Sequence, residues 1–209
     1  ALNVDDDRID LLACSGHKTL LGPTGTGMLY ASPRALGQTD DRAVRTLRPT
    51  RLGGAGDDSR SEDMPDQAPG RFEPGTPNTI GLAGLLAALD AREDAPLTEA
   101  LEREHRLLAR LIDRLARLPA VRVLGPTDVQ RRVGIVSFTA AGWDSAELAA
   151  ALDASFGICV RAGLHCAPGA HEALGTLSTG GAVRVSPGPY STDADIDLLL
   201  DALGELLGG

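Results

Sequence analysis

The chain has 209 residues, 43% of them hydrophobic, 23% charged and 3% aromatic, with a formal net charge of -9. This balance excludes a disordered tail, no apolar run is long enough to span a bilayer, and the three cysteines are too few and too unevenly spaced for a disulfide scaffold. The acidic surplus argues against nucleic acid as a main partner, and free thiols without a framework favour a reducing compartment, the cytoplasm.

Residues 9–14, IDLLAC, read as a buried strand. The Gly- and Pro-rich loop SGHKTLLGPTGTG follows, and then a second strand over 28–31, stopped by Ser32-Pro33. Residues 33–78 are polar and Gly/Pro-rich and read as a linker or a functional loop. The next element, TIGLAGLLAALDAR over 79–92, is apolar on most faces and predicts a buried helix.

Asp94 and Pro96 open an amphipathic helix near 97–118, in which Leu97, Leu101, Leu108, Leu111, Leu115 and Leu118 share a face, and Pro119 ends it. Strands are predicted over 121–124, 133–138, 157–160 and 182–185. Cap-like spacing over Asp144–Glu147 starts a helix to about residue 154. A last helix over 192–207 carries a stripe of Ile196, Leu199, Leu200, Leu203, Leu206 and Leu207. Alternating helices and strands make this an α/β fold with a boundary near residue 93.

Twenty basic residues include a single lysine, Lys18, between His17 and Thr19. Chance survival of a surface lysine is one reading. The other is that the chemistry needs an amine able to lose its proton, which arginine cannot do. The loop around it fits neither a phosphate-binding NTPase loop nor a dinucleotide fingerprint. Cys159 and Cys14 sit in apolar runs and read as core residues. Cys166 lies in the loop RAGLHCAPG near His165 and Arg161, either as a reactive thiolate or as an inert half-buried thiol. Cys159, His165, Cys166 and His171 lack the paired close ligands of a zinc site, so no metal is expected. Arg184 lies inside an apolar strand, where a guanidinium requires an anion, from a protein carboxylate or from a substrate.

The blocks SGHKTLLGPTGTGMLY (15–30), LGGAG (52–56), RFEPGTPNTIG (71–81), VRAGLHCAP (160–168) and AVRVSPGPYST (182–192) together resemble the cysteine desulfurase and selenocysteine lyase group of class V aminotransferase-like enzymes, which use pyridoxal 5'-phosphate. The resemblance implies the C-terminal portion of a fold-type I transferase. Residues 1–93 would be the remainder of a large cofactor-binding domain, and 94–209 a small α/β domain. Lys18 would carry the cofactor, with Ser15 and His17 at its phosphate. Gly54 and Ala55, in a loop over 53–56, would reach the neighbour's cofactor phosphate in a homodimer. Cys166 would be the nucleophile, Arg184 would grip the substrate carboxylate, and Arg161 would stand beside the nucleophile loop. Ala55 replaces a threonine common in the family, and YST at 190–192 replaces YNT.

Family enzymes are about twice as long, and the chain opens ALNVDDDRID without Met. The resemblance therefore implies the second half of such an enzyme, active when a chain or segment supplies the first half. The implied reaction turns L-cysteine into L-alanine and leaves a persulfide, passed on to an acceptor protein. The open alternatives are a related C–S lyase, epimerase or aminotransferase, and a non-catalytic fragment that binds a partner.

Overall fold

In the computed structural model, which describes residues 2–38, 47–56, 58, 60–93 and 97–208, the chain divides into Ala1–Ala95 and Pro96–Gly209. Asp94 and Pro96, the expected opening of the amphipathic helix, lie outside the described residues, as do 39–46, Asp57 and Ser59 of the polar stretch.

The first unit is built on an antiparallel pair, β1 (Leu11–Ser15) and β2 (Gly27–Ala31), in register from Leu11 opposite Ala31 to Ser15 opposite Gly27. Asp10 accepts from Ser32 and pairs with Arg34, tying the entry of β1 to the exit of β2. A single 3-10 turn at Gly70–Phe72 precedes helix α1 (Thr79–Glu93). The expectation of a buried α1 is wrong. Leu85 is buried, but Ile80, Leu82 and Leu86 are exposed, Ile80 at 87%. The helix packs through its small residues. A Cβ on Gly84 would come 2.6 Å from Pro23, and one on Gly22 would come 2.7 Å from Leu85. The close face of α1 thus rests on the β1–β2 loop, and the two short strands offer nothing to cover the rest.

The second unit has a four-stranded antiparallel sheet of order β3-β4-β6-β5, made of β3 (Val121–Leu124), β4 (Val136–Ala140), β5 (Arg161–Gly163) and β6 (Ala182–Val185). Strand alternation sends Val136, Phe138, Ala140, Val183 and Val185 to one face. There they meet buried leucines of α2 (Leu97–Leu115), α3 (Ser145–Phe156) and α5 (Asp193–Leu207) in one core. The α2 stripe buries Leu108, Leu111 and Leu115, and also Leu107 and Ile112. Asp144 caps α3 by accepting from the Ala146 N–H, and Thr192 with Asp195 forms a capping box on α5. Arg106, Arg110 and Arg114 of α2 pair with Asp193, Asp197 and Asp201 of α5. Both helices repeat these residues every fourth position, so one row of charges faces another.

Three sequence expectations need correction here. Residues 157–160 are not a strand. Gly157 ends α3 in the left-handed region at φ 67°, and the Gly157 and Ile158 N–H groups bond back to Asp153 and Leu152, so extended pairing starts at Arg161. Cys159 is consequently exposed rather than in the core, 3.7 Å from Asp153 Oδ1, and Cys14 is half-buried. The strand expected over 133–138 begins at Val136, after a tight turn in which the Ile135 N–H bonds to the Val133 carbonyl.

Phe138→Ala should lower the unfolding free energy by about 3–5 kcal/mol, because the side chain is fully buried against three helices. Asp197→Asn should cost no more than about 1 kcal/mol, since both partners are about 40% exposed and water screens them. Urea denaturation of the two variants checks both values.

Candidate functional site

The loop between β1 and β2 is closed by backbone bonds. The Gly16 N–H donates to Thr26 O at 2.9 Å, Gly22 to Gly16 O at 2.8 Å and Leu21 to Lys18 O at 3.0 Å. A Cβ on Gly16 would come 2.2 Å from Thr26 Oγ1, so this crossing requires glycine. Asn78 steadies the start of α1 by accepting from the Gly81 N–H, and Arg92 in its last turn donates to the Thr19 carbonyl beside Lys18. Lys18 and Ser15 line an open depression with Ala13, Cys14, Thr19 and Leu20. His17 is exposed on the same turn. Among the described residues, no side-chain hydrogen bond or ion pair engages Lys18, Ser15 or His17.

In the second unit, Arg161 of β5 stands directly opposite Arg184 of β6, and Arg184 stands opposite Ser137 of β4. All three therefore project from the sheet face turned away from the helices. Two like charges in register repel. Arg184 is half-buried, and its Nε is fully buried without a hydrogen-bond partner among the described residues. Among the described residues, no carboxylate pairs with Arg184 or Arg161. The face thus carries two cross-strand positive charges that no carboxylate offsets among the described residues.

Cys166 follows β5 three residues after Gly163, exposed, in a turn from Leu164 to Ala167 closed by a 2.8 Å bond from the Ala167 N–H to the Leu164 carbonyl. His165 and Cys166 occupy its centre at φ 51° and 59°, the φ signature of a type I′ turn. Neither is glycine, and each left-handed residue costs roughly 1–2 kcal/mol. Helix α4 (Pro168–Ala173) continues the chain, and its buried His171 has Nδ1 2.7 Å from the Thr176 hydroxyl. The His165 and His171 ring centroids are 5.7 Å apart.

Burial first, and then the charges of Arg184, His171 and Arg161, hold the His165 pKa below its usual 6.5. The bond to the Arg161 carbonyl opposes them. An NMR titration of its ring should give a midpoint below 6.5, and Arg184→Gln should raise that midpoint part of the way. A wild-type midpoint at or above 6.5 contradicts this environment.

The structure thus groups Ser15, at the end of β1, with His17 and Lys18 in the loop that follows, and sets Arg161 of the edge strand β5 opposite Arg184 of its neighbour β6, with Cys166 in the turn after β5. Gly54 and Ala55 belong to a separate segment, where the Gly54 carbonyl accepts from the Gly75 N–H at 2.7 Å and Leu52 is exposed. Sequence reasoning missed Ser137 and Thr176. The register that puts Ser137 beside Arg184 has no local signal. A buried threonine five residues after a histidine is legible only once α4 is known to turn back there.

The class-V aminotransferase family profile matches residues 1–199, and the chain belongs to that family. It is 35% identical over 201 residues to a probable cysteine desulfurase of Methanothermobacter thermautotrophicus, covering 95% of this chain and 48% of that one. Its fold is similar to the apo cysteine desulfurase of Thermococcus onnurineus, with a TM-score of 0.84 and 33% identity over 99% of this chain and 49% of that one. It is also similar to the cystine C–S lyase C-DES, solved with its product cysteine persulfide, at a TM-score of 0.70 and 26% identity over 98% and 48% of the two chains. C-DES has also been solved with glycine covalently linked to its pyridoxal phosphate cofactor. The chain spans about half the length of the curated relatives it matches.

Proposed function

We propose that this chain carries the cofactor lysine and the sulfur-accepting cysteine of a cysteine desulfurase. It would convert L-cysteine to L-alanine together with the remaining length its relatives possess. The observation that carries this reading is Cys166, exposed in a turn whose His165 side chain bonds back to Arg161, the cross-strand partner of Arg184, with no carboxylate paired to either arginine among the described residues. Family membership and the identity to chains named cysteine desulfurase support it. The exposed apolar side of α1 supports a complementary segment. Three free thiols agree with the cytoplasm.

The residues present fit pyridoxal phosphate. Lys18 is the single primary amine among the side chains, it is exposed, and Ser15 offers a hydroxyl in the same depression. Lys18 would hold the cofactor, with Ser15 and His17 toward its phosphate. Gly54 and Ala55 would contact the phosphate of a second subunit in a homodimer. When bound, the cofactor supplies an electron sink next to the substrate Cα. The Lys18 amine moves the proton at that Cα. Arg184, assisted by Arg161, takes the substrate carboxylate through its open donors and orients the Cβ–Sγ bond. The Cys166 thiolate attacks the substrate Sγ. An S–S bond forms, the Cβ–Sγ bond breaks, and its electron pair stays with the carbon, which takes up a proton. Cysteine and a thiol thus give alanine and a Cys166 persulfide, with no external oxidant. An acceptor protein would then take the sulfur.

The enzyme should be purified with every chain that accompanies it and supplied with cofactor and cysteine. Cys166→Ser should keep the cofactor's visible absorbance and lose both persulfide and alanine formation. Arg184→Gln should raise KM by roughly 10–100-fold, the loss expected for hydrogen bonds to a charged group. The similarity to C-DES favours a second reading, C–S lyase chemistry. Undiminished sulfur release by Cys166→Ser would replace the desulfurase reading with that one.

A further inference from the structure

We propose that His165 is a positioning residue that pins the Cys166 turn to strand β5, an assignment that rests on the desulfurase reading above. The Arg161 carbonyl can only accept, so the His165 Nε2 at 3.3 Å from it carries the proton and donates. This bond runs from the second residue of the turn back to the first residue of β5, four positions earlier. The imidazole is half-buried, with the buried His171 ring at 5.7 Å, whereas the next side chain, Cys166, is exposed. Adjacent side chains thus take opposite duties, one holding the turn and the other presenting sulfur.

The backbone explains why a pin is needed. Two successive non-glycine residues at φ 51° and 59° persist only where the surroundings over-determine them. The fixings are the Ala167-to-Leu164 bond at 2.8 Å, the start of α4, where the Ala170 and His171 N–H groups both bond to the Ala167 carbonyl, and the His165 side chain. The first two are backbone bonds that any sequence could form. The third is specific to this side chain. It ties the turn to Arg161, the cross-strand partner of Arg184, and so sets the reach of Cys166 relative to the anion site.

The test uses four variants of the purified enzyme with all its accompanying chains. Glutamine places a donor near the position of Nε2, so His165→Gln should stay within about threefold of wild type. Asparagine is comfortable at positive φ but too short to reach the carbonyl, and glycine and alanine have no donor. His165→Asn, His165→Gly and His165→Ala should each speed amide exchange at Ala167 by about tenfold or more, as expected for a lost local bond. They should slow single-turnover persulfide formation on Cys166 comparably, with KM unchanged.

Exchange at Ala167 that is equal in wild type, His165→Asn and His165→Ala overturns the pin. Wild-type turnover by His165→Asn also overturns it, because relief of φ alone would then suffice. If the wild-type enzyme forms no persulfide on Cys166, the desulfurase reading fails and the positioning role falls with it. The exchange data separate that failure from the absence of a pin.

Discussion

A guanidinium on an inner strand of a sheet, with its Nε buried and without an acceptor among the described residues, is the constraint around which the second unit is arranged. An unsatisfied buried donor is costly, and more so when charged. The neighbouring strand adds a second arginine rather than a carboxylate. The fold sustains this arrangement because the opposite face of the same sheet is fully committed to packing. Phe138, Val136 and Val183 are almost completely covered by leucines of three helices, which hold β4, β6 and β5 in register whatever the polar face carries. The apolar core and the arginine pair occupy opposite sides of one sheet. An anion on the polar face would offset the repulsion between Arg161 and Arg184.

The first unit meets a similar requirement with backbone rather than with a core. Its lysine loop is fixed by Gly16 crossing Thr26 and by the small-residue face of α1, with Arg92 holding the carbonyl next to Lys18. These devices place an amine on a short, internally bonded turn without burying it. The same economy leaves Ile80, Leu82 and Leu86 of α1 exposed.

Much of this was legible in the residues. The strands at 121–124 and 182–185, and the helix that starts just after Thr192, emerge where apolar period and capping chemistry agree. Lys18, Cys166 and Arg184 stand out by composition and context before any coordinates. The failures have physical causes. GICV has the composition of a strand, but the N–H groups of Gly157 and Ile158 are already used to end α3. An all-apolar helix reads as buried, yet α1 packs through glycines and has few neighbours. The turn at His165-Cys166 lacks the glycine or asparagine that ordinarily signals positive φ. The facing of Arg161 and Arg184 is a property of register, which links residues 23 positions apart and leaves no mark in either segment.

We propose that the single lysine holds pyridoxal phosphate, and reduction with borohydride decides it. The natively purified protein, with all copurifying chains retained and cofactor supplied, should be yellow. Borohydride should bleach that colour, and peptide mapping should find the reduced cofactor on Lys18. A protein that stays colourless with added cofactor, or a label that maps to another chain, would rule Lys18 out as the cofactor lysine.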